Sequence, residues 1–336
     1  MSKTKLIKNF LSVSIIVPVY NVEKILYSTL KGVITQDYPI KEIIIIDNNS
    51  TDSSFKEVVR FKQDYRSYSI KIVKRAKNYG LSSSYNLGAK ISKGDLIVAL
   101  HSDSALPTAN ELGKLIEPFL KDPSIIATYP LVVHTKDRWL TYNFWQKCLF
   151  GAVVDTTAHS MNGKFDCYNK NVFLSVGGYD EERFHHNMGT EDADMRFRLQ
   201  KAGRIVATEA RVIHLHSFEK NYSLKHWIAR RKFLTISYGR MLRMHAKDMR
   251  AEVVAFFIKP FLVFLTVLGF IHFAFLIPIF LFPFIYMRKM FTSTATLKDS
   301  RVILLPFVII FLVYYETFWM FKSLLSIEKK VIIRES

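Results

Sequence analysis

Residues 13–21 read VSIIVPVYN, a continuous run dominated by β-branched and other apolar side chains. Such a run predicts a strand at residues 13–19 that is buried on both faces, and residues 22–34 follow with helical periodicity. The same alternation recurs further along the chain, with strands predicted at residues 42–46, 70–73 and 96–100. This pattern predicts an α/β fold with a mostly parallel central sheet that helices cover on both faces.

Polar side chains follow two of these predicted strands. Asp47 closes the second strand, and His101, Ser102 and Asp103 follow the fourth. Ligands bind beyond the carboxyl ends of the strands in open parallel sheets, so we expect these side chains at a binding edge. Asp47 could instead cap the next helix, although other polar residues of the same turn can serve that need.

Glycine-rich phosphate-binding motifs are missing from the sequence. No Gly-x-Gly-x-x-Gly follows the first strand, and no Gly-Lys-Ser or Gly-Lys-Thr occurs anywhere. This argues against dinucleotide redox chemistry and against a P-loop. A bound nucleotide would therefore be held by carboxylates, other side chains and a metal.

A second acidic cluster lies at residues 190–194, which read TEDAD and open a helical pattern. Glu191 and Asp192 could simply complement the dipole at a helix N-terminus, where carboxylates are stabilised. Alternatively, a carboxylate here acts as the general base of a group-transfer reaction. The cluster by itself favours neither interpretation.

Two apolar runs, residues 253–287 and 302–325, are long enough to be read as membrane spans. The first has 35 residues. As one helix it would measure about 52 Å, against a hydrocarbon layer of about 30 Å. A turn near residues 269–273 or at Pro278 would make it a hairpin of two short helices. Two or three transmembrane helices in total are therefore expected.

Basic residues concentrate just before the first apolar run. Eight Lys and Arg side chains and one acid lie between Lys225 and Arg250, interleaved with apolar residues. This is typical of a basic amphipathic helix in the headgroup layer, although a solvated basic face is the alternative. The net charge of +18 could also suggest nucleic acid. Its placement beside the apolar run favours anionic lipids and no nucleic acid.

The spacing of Cys148 and Cys167 fits neither a disulfide framework nor a metal site, which favours a reducing compartment. The lysines before residue 10 mimic a signal peptide, but no small-residue cleavage site follows. We therefore expect a multi-pass membrane protein with a cytoplasmic catalytic domain at residues 1–222. An interfacial helix at 223–252 and a membrane domain at 253–336 would follow it. The basic residues after each apolar run leave the position of the C-terminus open.

In order and spacing, these motifs resemble the family 2 glycosyltransferases, inverting enzymes of the GT-A type, here with C-terminal transmembrane helices. The resemblance covers about residues 12–220. It is carried by residues 13–21, the strand that ends at Asp47, Asn78-x-Gly80, Asn86-x-Gly88, Gly94-Asp95, residues 101–103, residues 177–181, residues 190–192 and Arg198-Leu199.

The resemblance implies a role for each site residue. Asp103 would bind a divalent cation, Mn²⁺ or Mg²⁺, that bridges the donor diphosphate. Asp192 would deprotonate the acceptor, and Glu191 would help to orient the acceptor or the diphosphate. The residues expected to bind the nucleotide and donor are Pro18, Tyr20, Asn21, Asp47, Asn78, Gly80, Ser102 and Asp103. Those expected to line the donor or acceptor pocket are Tyr179, Asp180 and Thr190.

One departure from the family pattern concerns the metal. The family usually has Asp-x-Asp where this chain has His101 and Asp103. Imidazole suits Mn²⁺ better than Mg²⁺, so we expect either a preference for Mn²⁺ or binding through Asp103 without His101. His214 and His216 point the same way if their strand pattern holds, and either could add a ligand. They could equally be two half-exposed histidines, and the sequence does not rank them.

These features favour the transfer of a single sugar, with inversion, from a nucleotide diphosphate sugar to a hydroxyl or phosphate acceptor. We expect the acceptor to be lipid-linked and the reaction to belong to glycan or polysaccharide biosynthesis. A single transfer is expected because the Gln-x-x-Arg-Trp motif of the processive synthases is missing. One alternative is a catalytically inactive binding or scaffold protein at the membrane, motivated by His101. A sugar nucleotidyltransferase ranks lower because the first strand is not followed by a basic loop.

Overall fold

The computed structural model describes residues 10–184, 189–216 and 221–325. The chain divides into two compact units. The sheet unit comprises Met1–Val133, Thr157–Asp180 and Met195–Ser217, and the helical unit comprises His134–Thr156, Glu181–Asp194 and Phe218–Ser336. Residues 134–156 and 181–194, expected within the catalytic domain, thus cluster with the helical unit. The lysines before residue 10 lie outside the described residues.

The first half of the sheet is parallel, as the sequence predicts. Its strands run in the order β3 (Ile70–Lys74), β2 (Glu42–Asp47), β1 (Val13–Val19) and β4 (Leu96–Leu100). Every residue of β1, β2 and β4 is buried. Because both faces are covered, these strands need the continuous apolar runs seen in the sequence. The elements are β1 (Val13–Val19), α1 (Leu26–Ile34), β2 (Glu42–Asp47), α2 (Ser54–Asp64), β3 (Ile70–Lys74), α3 (Gly80–Ile91) and β4 (Leu96–Leu100).

The second half of the sheet is mixed. The elements that follow are β5 (Ser104–Ala105), α4 (Glu111–Lys121), β6 (Ile125–His134), α5 (Lys136–Leu140), α6 (Phe144–Phe150), β7 (Thr156–His159), β8 (Phe165–Asn169), α7 (Lys170–Ser175), α8 (Glu191–Ala202) and β9 (Arg204–His214). β8 is antiparallel to β4 and β6, β9 is parallel to β6, and β5 is antiparallel to β9. Within the described residues the sheet thus has nine strands in the order β3-β2-β1-β4-β8-β6-β9-β5, with β7 beside β6.

Successive residues of β1 pack into different layers. Ile15 and Val17 belong to one apolar cluster, and Ile16 belongs to another that includes Tyr85 of α3. α3 lies so close to β1 that a Cβ on Gly88 would be 2.4 Å from the Ile16 side chain. Gly88 is therefore needed for the packing of this helix against the sheet, which accounts for one motif of the sequence in structural terms.

The helical unit contains α5 and α6, a long helix α9 (Leu224–His245), α10 (Arg250–Leu268), α11 (Ile277–Tyr286), α12 (Arg288–Thr292), α13 (Thr294–Leu297) and α14 (Leu305–Leu325). Short 3₁₀ turns at Phe273–Leu276 and Ser300–Leu304 precede α11 and α14. Its main apolar cluster joins Trp139 and Phe144 to Trp227 of α9 and to Leu305 and Ile309 of α14.

One helical segment of the described chain, Ser300–Leu325, is long and apolar enough to cross a membrane. The earlier apolar run forms two shorter helices, Val253–Leu268 and Phe273–Tyr286, with a break after Leu268. Large apolar side chains on these segments and in the break between them are exposed, including Phe307 at 70% and Phe270, in the break, at 94%. Exposed apolar surface of this extent is typical of a membrane or protein interaction surface.

Candidate active site

The residues after β4 meet the end of β9. β5 pairs antiparallel with β9, with Ser104 opposite His214, and the Leu215 N–H donates to the Asp103 carbonyl oxygen at 2.8 Å. This pairing places His214 Nε2 at 3.4 Å from Asp103 Oδ2, while His101 Nδ1 lies 3.7 Å from Asp103 Oδ1. The backbone ladder therefore gathers three potential ligands within the sheet unit.

The chemistry of these three side chains fits a divalent cation. One donor atom from each of His101, Asp103 and His214 lies within 4.8 Å of the others. The buried Nε2 of His101 has no hydrogen-bond partner among the described residues. Burial lowers the pKa of His101 to about 3, and it also lowers the pKa of His214. Neutral imidazoles are the form that coordinates a metal.

The Asp103 carboxylate completes the group. Burial alone would raise its pKa, but the neighbouring His214, with smaller contributions from His101 and His216, holds that pKa below its usual value. An ionised carboxylate with two neutral imidazoles makes an oxygen and nitrogen donor set, which suits Mn²⁺ better than Mg²⁺.

His216 differs from His214 in its backbone. β9 ends at His214, and His216 has a left-handed φ of 47°, so the expected strand alternation does not extend to it. The two rings are nonetheless adjacent, with centroids 3.6 Å apart. His214 thus shares the donor group with His101 and Asp103, and His216 packs against its ring.

The loops after β1 and β2 are tied together. Asn21 has a left-handed φ of 51° and accepts a hydrogen bond from the Thr51 N–H at 2.8 Å. Asp47 is fully buried at the end of β2 and accepts one from the Ser50 N–H at 3.3 Å. At the start of the following helix, Asp52 accepts a hydrogen bond from the Ser54 N–H at 2.9 Å. Asp47 is therefore not needed as the cap of α2.

The remaining donor-site candidates have simpler surroundings. Pro18 lies within β1 beside Ile46 of β2, and Tyr20 is 44% exposed just beyond that strand. Asn78 accepts a hydrogen bond from the Gly80 N–H at 2.9 Å, and Gly80 starts α3 with a left-handed φ of 86°. Glycine is favoured at that φ, so this motif has a local structural use. Ser102 is buried.

The acidic cluster lies at the start of α8, in the helical unit. Asp194 is fully buried and lies 2.9 Å from His245 Nε2 of α9. Asp192 is half-buried, and its Oδ1 accepts from the Ala193 N–H at 2.9 Å. Glu191 is also half-buried. Of the three carboxylates, Asp194 thus has a structural partner on the basic helix.

The residues before α8 are also held by α9. Thr190 has a φ of 94°, a conformation that strains a β-branched residue by about 1–3 kcal/mol. Its hydroxyl is hydrogen-bonded to the Ser237 hydroxyl, which also contacts the Gly189 carbonyl oxygen. Ser237 therefore stabilises the strained turn that leads into the acidic cluster.

Residues 14–172 match the family model Glycosyl transferase family 2. This stretch is a family 2 glycosyltransferase domain. Curated relatives include a poly-β-1,6-N-acetyl-D-glucosamine synthase of Staphylococcus epidermidis, 25% identical over 200 residues, which are 56% of this chain. The chain spans 45% of the length of that synthase. The UDP-Glc:α-D-GlcNAc-diphosphoundecaprenol β-1,3-glucosyltransferase WfaP of Escherichia coli is 38% identical over 131 residues, 38% of this chain and 49% of WfaP.

Solved structures support the GT-A fold. The mannosyltransferase PcManGT from Pyrobaculum calidifontis, in complex with GDP-Man and Mn²⁺, matches with a TM-score of 0.57. Its sequence is 15% identical, and the match covers 94% of this chain and 88% of PcManGT. This likeness confirms the fold expected from the sequence motifs.

The sheet unit also contains residues that support the predicted site. The Asn86 side chain bonds both backbone groups of Tyr179, at 2.8 and 2.9 Å. A Cβ on Gly178 would lie 2.3 Å from Asn86 Oδ1, so only glycine fits there. The sequence displays Asn86-x-Gly88 as a motif but not the partner of Asn86, which is 93 residues away.

A second support lies beside His101. Tyr85 donates to the Gly163 carbonyl oxygen at 2.8 Å, and Asp166 accepts from the Gly163 N–H at 2.6 Å. The Tyr179 hydroxyl lies 3.0 Å from that of Tyr168, and Tyr179 is 3% exposed. These contacts fix the loop facing His101. Asp166 gave no signal in the sequence because β8 was not predicted.

The predicted site residues are divided between the units. The sheet unit brings His101, Asp103 and His214 together and contains the donor-site candidates, Tyr179 and the half-buried Asp180. The helical unit contains Thr190, Glu191 and Asp192.

Proposed function

We propose that the chain is a membrane-associated inverting glycosyltransferase that moves a single sugar from a nucleotide diphosphate sugar to a lipid-linked hydroxyl or phosphate acceptor. The observation that carries this proposal is the His101, Asp103 and His214 donor group within a family 2 glycosyltransferase fold. The complex of PcManGT with GDP-Man and Mn²⁺ supports a nucleotide-sugar donor. The name of WfaP, which includes a diphosphoundecaprenol acceptor, supports a lipid-linked one.

The cation would be held by Asp103 with His101 and His214, and His216 would pack behind His214. When bound, it would neutralise charge on the leaving nucleotide diphosphate. Mn²⁺ is proposed ahead of Mg²⁺ because two of the three donors are imidazoles. The proposed donor-binding residues remain Pro18, Tyr20, Asn21, Asp47, Asn78, Gly80 and Ser102.

Asp192 is proposed as the general base. Its carboxylate would accept the proton of the acceptor hydroxyl while that oxygen attacks the anomeric carbon. The bond between the anomeric carbon and the diphosphate oxygen breaks on the opposite side, which inverts the configuration. Glu191 would orient the acceptor or diphosphate, and Tyr179, Asp180 and Thr190 would shape the pocket. Tyr179 and Thr190 are buried, so theirs would be a supporting role.

Membrane association is proposed from the helical unit. α9 carries the basic residues expected at an anionic headgroup layer, and α10, α11 and α14 expose apolar side chains. We propose that residues 1–222 supply the catalytic domain on the cytoplasmic side and that residues 223–252 lie at the interface. Residues 253–336 would form a multi-pass anchor, in which Ser300–Leu325 is long enough to cross the membrane.

A polymer synthase is the second candidate, because a poly-N-acetylglucosamine synthase is among the relatives. We favour single transfer because the chain has no Gln-x-x-Arg-Trp motif. Product length separates the two. Mass spectrometry of the product should show one added sugar per acceptor, whereas a ladder of masses would identify a polymerase.

The decisive experiment uses the full chain in detergent with Mn²⁺ and a panel of nucleotide diphosphate sugars. A donor that binds the folded state at a hundredfold excess over Kd stabilises it by about 2.7 kcal/mol, and this stabilisation raises the unfolding midpoint. The donor that gives the largest shift is then tested with polyprenyl diphosphate-linked sugar acceptors. No shift with any nucleotide would contradict the proposal. A shift without turnover would support the inactive binding protein.

A further inference from the structure

The helical unit contains a cavity of about 240 Å³ that is lined by α9, α10 and α14. One part of its wall is apolar, with Leu234, Phe256, Pro260 and Met320 among the lining residues. The other part carries charge, because Arg231, Lys259 and Glu316 also line it. A cavity with an apolar wall and a few charged groups is typical of a small-molecule site.

The charges in this cavity do not balance. Arg231 binds the Glu316 carboxylate through two nitrogens, at 2.7 and 2.8 Å, and Lys259 binds the same carboxylate. Among the described residues that line the cavity, Glu316 is the sole acid, so two cations share one negative charge. The side chain of Arg231 is 22% exposed, that of Lys259 17% and that of Glu316 6%. A surplus positive charge in such surroundings is unfavourable until an anion compensates it.

The outer faces of the same helices indicate where this anion comes from. Phe257 and Phe261 of α10 and Phe318 of α14 are 38%, 58% and 60% exposed. Ionisable residues among apolar, membrane-type helices mark ligand sites, and basic pockets between such helices bind anionic headgroups. The ligand is therefore expected to carry hydrocarbon as well as negative charge.

We propose that this cavity binds an anionic phospholipid of the bilayer, with its phosphodiester at Lys259 and Arg231 and part of one acyl chain against Leu234, Phe256 and Met320. A phosphodiester carries a single negative charge, which matches the single surplus positive charge. A phosphate monoester carries about −1.5 to −2 near neutral pH and would overcompensate it. The site is independent of the proposed transfer reaction, since it contains none of the residues assigned to donor, cation or base.

Lys259→Met is the sharpest test. It removes the surplus charge but leaves Arg231 and Glu316 as a balanced pair, so the unit should still fold. Lys322→Met is the matched control, because Lys322 is an exposed cation of α14 outside the cavity. The full chain in detergent is titrated with short-chain phosphatidylglycerol, and bound lipid is counted by native mass spectrometry. We expect binding about fivefold to tenfold weaker in Lys259→Met and unchanged in Lys322→Met. Equal binding by the wild type and Lys259→Met would overturn the proposal.

Three further ligands make the test independent of any variant. Phosphatidylcholine with the same chains should bind more weakly to the wild type, because its ammonium cancels the phosphodiester charge. Inorganic phosphate should not compete, because it lacks a chain. Undecaprenyl monophosphate should bind more weakly than phosphatidylglycerol. Equal binding of the zwitterionic lipid, competition by phosphate, or tighter binding of the polyprenyl phosphate would each reject the phospholipid assignment.

Discussion

The sheet unit and the helical unit both bury acidic side chains, but the partners of those acids differ. In the sheet unit, Asp103 lies beside His101 and His214, whose pKa values are lowered by burial. In the helical unit, Glu316 is bound by Arg231 and Lys259. A carboxylate among neutral imidazoles can gain a metal cation, whereas one bound by a guanidinium and an ammonium is already compensated. These two acids are therefore distinguished by the charge of their partners rather than by their burial.

The largest expected effect tests the half-buried acid of the helical unit. Asp192→Asn keeps the shape of the side chain but removes the base, so kcat should fall about 10³-fold. The thermal shift caused by the donor with Mn²⁺ should stay the same. Glu182→Gln, an exposed acid of the same unit, should change kcat less than twofold. Full turnover by Asp192→Asn would show that the base is another group.

The next effect is on stability and concerns the compensated acid. Glu316→Gln leaves Arg231 and Lys259 without their counter-charge, which should cost about 3 kcal/mol of unfolding free energy. A lower unfolding midpoint of the full chain in detergent would record this. Asp137→Asn, at an exposed position of the same unit, is the control and should leave the midpoint unchanged. If both variants had the same midpoint, the ion pairs of the helical unit would not be structural.

In the sheet unit the corresponding substitution should affect cation binding and leave the fold intact. Asp103→Asn should weaken Mn²⁺ binding about 100-fold, measured by calorimetry, because it removes the anionic ligand. The unfolding midpoint without metal should change little. Glu209→Gln, an exposed acid of the sheet unit, should bind Mn²⁺ as the wild type does. Unchanged affinity in Asp103→Asn would assign the cation to other residues.

The smallest effect is on metal choice. His101→Asp restores the usual family pattern and replaces a nitrogen donor with oxygen, which Mg²⁺ prefers. The ratio of Mg²⁺-supported to Mn²⁺-supported turnover should rise about tenfold. His101→Asn serves as the matched control, since it removes the imidazole without adding charge. An unchanged ratio in His101→Asp would indicate that His101 is not a ligand.

The sequence predicted the parallel half of the sheet well because its signals are local. β1 and β4 are continuous apolar runs whose bounds match the predicted ones at residues 13–19 and 96–100. β8 was not predicted, because its sequence FDCYN includes polar residues that find partners only through distant strands. β5 has two residues, too few for any periodic pattern.

The same distinction applies to the candidate site. His101 and Asp103 were identified because they follow a predicted strand. The placement of His214 beside His101 and Asp103 depends on the pairing of Ser104 with His214, which joins residues 110 positions apart. The contact of Asp194 was not predicted, because its partner His245 lies 51 residues later. These placements depend on contacts between distant parts of the chain, which a single sequence does not display.

The hydrogen bonds that join α9 to the turn before α8 and to the start of α8 have a mechanical consequence. Ser237 holds Gly189 and Thr190, and His245, about two turns further along α9, holds Asp194. Asp192 lies between these two anchors, so a tilt of α9 would carry its backbone along. If α14 spans the membrane, as we propose, its tilt changes when the bilayer becomes thinner or thicker, and α9, which packs against α14, would move with it. Turnover in vesicles of graded acyl-chain length should therefore vary with thickness, which would make the enzyme responsive to the physical state of its own membrane.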